Sequence, residues 1–334
     1  MNEGQNYFYV EVKDAKGSND YILVADNGTR SSDNAIVSAS GADTITIAGD
    51  KIGATSGLGD SVSMTFITNN LYATVAVYAD EQRTLPIAYY SNPVTENGRT
   101  IDERTFDLQT KQPVSKYHVV CTAENGATRV YTLLIEKNFH ANTFVDVASD
   151  AWYTASVNKA ASLGLMNGSE TGAVDKETGD PLYAFRPTAK ITRQEVAVII
   201  ASMTGHNPDA FAKVKLPYAD KKSISGWAKR AVQICHYYGY MEGSGNKFSP
   251  KAYISRQELM VVFARIYDLN GTVDLSAYKD GKKVASWAKA GVQACVKAGI
   301  IEGSGNKLNP TGNITRAEVA TMIERIESKI GLYN

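Results

Sequence analysis

Two different periods of apolar residues divide the chain. Up to about residue 138 they alternate with polar ones, in Tyr7 to Val12, Tyr21 to Val24, Thr44 to Ala48, Val62 to Ile67, Tyr72 to Tyr78, Tyr117 to Cys121 and Val130 to Ile135. A period of two is that of strands with one buried face. Turn-forming stretches separate them, among them Asp26-Asn27-Gly28, Asn97-Gly98 and Asn125-Gly126. The last two runs predict a hairpin: Tyr117, Val119 and Cys121 share one face, and Tyr131, Leu133 and Ile135 share a face of the next strand. Several short strands with no helical stretch between them predict an all-β, antiparallel sandwich over residues 1–138, as one domain or two small ones.

After Asn138 the period becomes helical. Val319, Met322, Ile323, Ile326 and Ile330 follow at steps of three, one, three and four, which is one face of a helix. Val196, Ile199 and Ile200, then Leu259, Val262, Phe263 and Ile266, mark two equivalent helices.

These helices belong to a unit that occurs three times. The third copy has Tyr278-Lys279-Asp280, Trp287, Gly303-Ser304-Gly305-Asn306-Lys307, Leu308-Asn309-Pro310 and Ile314-Thr315-Arg316-Ala317-Glu318. The second has Tyr218-Ala219-Asp220, Trp227, Gly243-Ser244-Gly245-Asn246-Lys247, Phe248-Ser249-Pro250 and Ile254-Ser255-Arg256-Gln257-Glu258. The first has Phe144-Val145-Asp146, Trp152, Asn167-Gly168, Phe185-Arg186-Pro187 and Ile191-Thr192-Arg193-Gln194-Glu195. It carries twelve extra residues between Gly168 and Phe185, polar and rich in Gly, Thr and Asp, which predict a surface loop.

Composition narrows the chemistry. With 35 basic and 35 acidic residues the formal net charge is zero. No bulk field draws nucleic acid or an anionic membrane, so a bound anion must be held by local geometry. No run reaches the roughly 18 apolar residues of a membrane span. The start, Met1-Asn2-Glu3-Gly4, is neither basic nor followed by an apolar core. That is not a signal peptide, so the chain is either cytosolic or part of something longer. Tyrosine is abundant, 19 against 9 phenylalanines, which suits half-exposed sheet faces and also carbohydrate contact. Cys235 and Cys295 stand where the first unit has Ala160, a small, buried, apolar slot. No cysteine or histidine spacing fits a metal site, and no cofactor is implied. His118, His140, His206 and His236 are scattered, and no nucleophile elbow or paired carboxylates stand out, so no catalytic residue is assigned.

The ordered set of aromatic-x-Asp, Trp, glycine turn, Phe-x-Pro and Ile-Thr-Arg-Ala-Glu, in tandem over residues 142–330, resembles the S-layer homology family. The resemblance implies an all-α, pseudo-threefold arrangement of three helix-loop-helix units, here 142–204, 216–268 and 276–330. It also implies binding of a secondary cell-wall polysaccharide, often bearing pyruvylated sugar, in grooves between units. The run Asn125 to Leu133 is similar to the closing hairpin of bacterial cadherin-like or immunoglobulin-like surface domains.

Several motif residues have two readings. Thr192 with Glu195, Ser255 with Glu258 and Thr315 with Glu318 each match a capping box, so these glutamates are structural. Arg193, Arg256 and Arg316 oppose the helix macrodipole, so capping alone does not select them. Either they grip a sugar carboxylate in bidentate fashion, or they pair with the unit's aspartate. On the first reading, changing each to alanine leaves folding intact because the caps remain. Trp152, Trp227 and Trp287, at the start of each first helix, either stack on sugar faces or anchor the core. Asp146, Asp220 and Asp280 either cap a helix or accept sugar hydroxyls. In the glycine turns, Asn246, Lys247, Asn306 and Lys307 are candidate ligand contacts, and the glycines supply positive φ.

The expected whole is a non-catalytic bacterial surface protein outside the cell. Its helical half docks to wall polysaccharide while its strand half projects outward, toward other surface-layer subunits. The alternative is a wall-anchored enzyme acting on glycan or peptide through the strand half.

Overall fold

The computed structural model describes residues 6–14, 17–25, 31–57, 60–70, 72–96, 99–110, 113–137, 144–176 and 179–331; for 6–14, 17–25, 92, 94–96 and 99–102 it describes the backbone. The turn residues Asp26, Asn27, Gly28, Asn97 and Gly98, His140, and the change of period at 138–142 lie outside the described residues.

Strands β1 (Asn6–Asp14) and β2 (Gly17–Ala25) pair as an antiparallel hairpin. Then come β3 (Ile36–Ser40), β4 (Thr44–Ala48), β5 (Lys51–Ser56), β6 (Ser61–Thr68), β7 (Thr74–Tyr78), β8 (Tyr89–Glu96), β9 (Arg99–Gln109), β10 (Val114–Thr122) and β11 (Thr128–Lys137). They form two sheets, ordered β4-β5-β11-β10-β7 and β3-β6-β9-β8, around one core. Tyr117, Val119 and Cys121 of β10 and Tyr131, Leu133 and Ile135 of β11 lie in it, opposite Met64, Phe106 and Leu108 of the other sheet. Two tyrosines are therefore core residues rather than half-exposed ones. The Tyr131 hydroxyl accepts from the Ile36 N–H at 2.9 Å and that of Tyr117 donates to the Gln109 carbonyl at 2.8 Å, which satisfies the buried oxygens. The larger sheet is also not purely antiparallel. The strand after β5 joins the other sheet, and β5 pairs in parallel with β11.

The second half contains α1 (Thr154–Ser162), β12 (Ser169–Val174), β13 (Pro181–Ala184), α2 (Arg193–Thr204), α3 (Lys229–Tyr237), α4 (Arg256–Ile266), α5 (Lys289–Lys297) and α6 (Arg316–Lys329). The expected all-α threefold arrangement is not what forms, and three observations correct it. The insertion of the first unit is a β-hairpin, β12 against β13, and not a loop. Its Thr171 hydroxyl donates to the Leu182 carbonyl, and Gly179 at φ 76° lets the turn close on Asp175. Units two and three lead into α3 and α5 through short 3-10 turns, Lys221–Ser223, Gly226–Ala228, Gly281–Lys283 and Ser286–Ala288. Finally, short bridges join loops of different units, such as Thr192 with Tyr253 and Ser255 with Asn313. The region is mixed, and its units are not equivalent.

Each first helix packs on the second helix of another unit: α3 on α2, α5 on α4, and α1 on α6. One continuous core results, with Phe185, Phe248, Phe263, Ile191 and Ile254 fully buried. Ala160, Cys235 and Cys295 are also fully buried.

The strand half does not stand apart from this body. Gly205, in the left-handed conformation at the end of α2, accepts from the Lys116 N–H of β10 at 2.8 Å. A Cβ on Gly205 would come within 3.0 Å of Val114, so glycine suits both the backbone angle and the approach. β10 is thereby covered on both faces.

Candidate functional site

The motif residues assemble from the loops upward. In each unit the residue between the buried Phe or Leu and the proline has a left-handed backbone: Arg186 at φ 58°, Ser249 at 57° and Asn309 at 51°. The unit's aspartate holds that bend. Asp220 accepts from the N–H groups of Phe248 and Ser249 at 2.9 and 2.8 Å, and Asp280 from those of Leu308 and Asn309, both at 2.8 Å. Asp146 does the same for Phe185 and Arg186, both at 2.7 Å. Burial alone would raise the Asp280 pKa, but these amides outweigh it and hold the carboxyl below its ordinary value. None of the three makes a side-chain cap on a following 3-10 turn or helix.

All three capping boxes form, with hydroxyl and glutamate bonding reciprocally. Each glutamate uses Oε2 for the cap, and in units two and three Oε1 takes an arginine of another unit. Glu258 accepts from Arg193 and Glu318 from Arg256, both at 2.8 Å. The same guanidiniums hold loop carbonyls: Arg193 donates to Phe248 and Glu242, and Arg256 to Leu308. The arginines therefore pair with glutamate across units, not with the aspartate of their own. They also tie loops together, so alanine in their place would cost stability as well as any ligand contact.

Arg316 differs. It donates to the carbonyls of Phe185 and Asn167 at 2.7 and 2.9 Å, and among the described residues no carboxylate forms an ion pair with it. Burial lowers its pKa; Glu195 opposes that and the charge of Arg186 adds to it.

The three tryptophans are exposed, at 68%, 62% and 60% for Trp152, Trp227 and Trp287. They do not anchor the core. Each stands just ahead of its helix, Trp227 and Trp287 within the 3-10 turns. Trp287 forms one wall of an open furrow of about 490 Å³ that also contains Arg193, Ser249, Tyr253, Glu258 and Arg265. A flat indole, a phenol and charged groups on one furrow can hold a polar ring with an acidic substituent.

Asn246, Lys247, Asn306 and Lys307 are exposed in tight turns closed by Ser244 with Lys247 and Ser304 with Lys307. Gly245 and Gly305 supply positive φ, as expected. Gly243 is needed for another reason: a Cβ there would meet the Lys247 carbonyl at 2.4 Å. Sequence reasoning missed Tyr253, Arg265 and Arg186. Tyr253 is matched by Lys190 and Asn313 in the other units, so the repeat gave no signal for it.

The fold and furrow define a class, that of tandem-repeat modules with loops stitched across units around solvent-facing grooves. The model of the S-layer homology domain matches residues 143–197, 217–260 and 277–320, and the chain carries three tandem domains of that family. Among curated relatives, the S-layer protein sap of Bacillus anthracis is 27% identical over 57% of this chain and 22% of its own length. The surface-layer 125 kDa protein of Lysinibacillus sphaericus is 30% identical over 44% of this chain and 12% of its own. Amylopullulanase of Thermoanaerobacterium thermosulfurigenes is 27% identical over 44% of this chain and 8% of its own. The chain thus spans less than a quarter of each of these three.

Proposed function

We propose that the helical half is a non-catalytic anchor that holds the chain at the bacterial cell surface by binding a secondary cell-wall polysaccharide. The recognised unit is a sugar with a carboxylate, such as a pyruvate ketal. The furrow that joins Arg193 to the exposed Trp287 carries this reading, because it sets a stacking face beside the largely buried guanidinium of Arg193 and that of Arg265. On this reading the tryptophans stack on sugars, the arginines face the carboxylate, and Asn246, Lys247, Asn306 and Lys307 add contacts from the turns. The S-layer relatives support the surface role. Several weak sites on one polymer give retention without any single tight site.

The test is binding of the whole chain to purified sacculi before and after the non-peptidoglycan polysaccharide is stripped. Binding should be lost on stripping, and undiminished binding would point to another ligand. A wall-bound enzyme is the second reading, favoured by the amylopullulanase likeness. Hydrolysis of wall glycan or peptide by the purified chain would establish it.

A further inference from the structure

A cavity of about 220 Å³ opens where the outer face of the β5-β11-β10 sheet meets the C-terminal ends of α2 and α4. It shares no lining residue with the furrow at Trp287, and it is larger than isolated waters fill. Alternation along the strands sets what faces it. Tyr117, Tyr131 and Leu133 turn into the sandwich core, so Lys116, Thr132 and Leu134 take the opposite face. Lys51 stands beside Thr132 in the parallel register of β5 with β11, and Leu134 beside Lys116. The Lys116 N–H donates to the Gly205 carbonyl at 2.8 Å, which fixes this row against the helical half.

The two walls differ in chemistry. The sheet wall carries the ammonium groups of Lys51 and Lys116 and the hydroxyl of Thr132, while the helical wall carries Met203, Ile266 and the ring of Tyr267. No carboxylate is among the described residues that line it, and among the described residues neither lysine forms an ion pair. Asp50, next to Lys51 in the chain, is paired with Arg129 at 2.6 Å, and Glu81 accepts from the Tyr238 hydroxyl at 3.4 Å. Burial holds the Lys116 pKa below its ordinary value despite the charge of Glu81, as befits an ammonium short of counter-charge. His206, on the helical side, is neutral at pH 7 and adds no charge of its own.

We propose that this cavity is a second ligand site, for a small organic acid whose carboxylate meets Lys51 and Lys116 while its apolar or ring body lies on Met203, Ile266 and Tyr267. An inorganic anion would answer the lysines and leave the apolar wall wet, whereas a neutral ring would leave the ammonium groups unmet. Because the walls come from both halves, an occupied cavity ties the strand half to the helical half. The site is independent of the glycan furrow.

Calorimetry on the full chain tests this, with benzoate, its neutral amide benzamide and inorganic phosphate as probes. Benzoate should bind at one site, about tenfold or more tighter than benzamide or phosphate. Lys116→Met keeps the stem, removes the charge, and should bring benzoate down to the affinity of benzamide. Lys51→Met, at an exposed position, should weaken benzoate in the same direction with an unchanged thermal midpoint, so it decides the matter even where Lys116→Met folds poorly. With benzoate bound, hydrogen exchange of the Lys116 amide should slow as the joint is held closed; unchanged exchange would overturn the tying of the halves. No benzoate binding at millimolar concentration, equal binding of the three probes, or undiminished benzoate binding in Lys51→Met and Lys116→Met would overturn the site, and each would leave retention on sacculi untouched.

Discussion

The strand half and the helical half are held together by different means. The strand core relies on apolar faces: Phe106, Leu108, Met64, Val119 and Leu133 meet between two sheets, with tyrosine hydroxyls tied off inside. The helical half has a core of its own, but its loops are fixed by charged groups, from aspartates on loop amides to arginines on carbonyls of other units. In a repeat, then, a residue that marks the motif most clearly can be one the fold consumes. The aspartates and most of the arginines are examples, whereas the tryptophans remain outside.

If that contrast holds, the largest loss should come from the strand core. Phe106→Ala removes a fully buried ring that touches Phe66 and Tyr89 and should cost about 3–5 kcal/mol in urea unfolding. In the helical half a single polar atom should come close to this. Asp280→Asn keeps the volume but sets an amide against one of two backbone donors, and should cost about 2–3 kcal/mol. A cost under about 0.5 kcal/mol for Asp280→Asn would remove the contrast.

The sequence showed the local motifs of the helical half better than their arrangement, and the reasons are local. Capping boxes are written in four consecutive residues, so Thr192, Ser255 and Thr315 could be read directly. The hairpin β10–β11 was legible because Asn125-Gly126 separates two runs in which Tyr117, Val119 and Cys121, and then Tyr131, Leu133 and Ile135, fall at every second position. Strand β9 was not: it begins Arg99-Thr100-Ile101-Asp102-Glu103-Arg104, and among its described residues Phe106 and Leu108 lie in the core. The hairpin in the insertion was hidden because its first strand is exposed throughout and shows no apolar period. The arginine contacts were missed for another reason. Their partners lie 49 to 65 residues away for Arg193 and up to 149 for Arg316, and no local pattern records that.

The joint between the halves sharpens the comparison through pH. His206 stacks on Tyr238 with centroids 4.1 Å apart, and its Nε2 lies 3.4 Å from the Tyr240 hydroxyl. Burial first, then the charges of Lys116 and His118, push its pKa from 6.5 down to about 3. Above 6.5 the ring is neutral in both folded and unfolded chains and adds no pH dependence. Below it the unfolded chain takes a proton that the folded one refuses, so stability falls as pH drops toward 3. At pH 5 the loss should be about 2 kcal/mol, at roughly 1.4 kcal/mol per pH unit. His206→Phe should make the profile of thermal midpoint against pH less steep between 6.5 and 3. Parallel profiles for the two chains would remove His206 from the joint.

The smallest expected effect on folding concerns the most conspicuous side chains. Trp287 is 60% exposed and stands on the wall of the furrow beside Arg193. Little of its ring is withdrawn from water, so Trp287→Ala should change unfolding free energy by under about 0.5 kcal/mol. A stacked sugar would lose about 1–2 kcal/mol of contact, or roughly tenfold in affinity for stripped, soluble wall polysaccharide. Arg193→Ala cannot make this separation, because it also releases two loop carbonyls and Glu258. The tryptophan does, and the two measurements must diverge. If Trp287→Ala unfolds as readily as Asp280→Asn, the indole belongs to the fold like the other motif residues, and the furrow loses its stacking face.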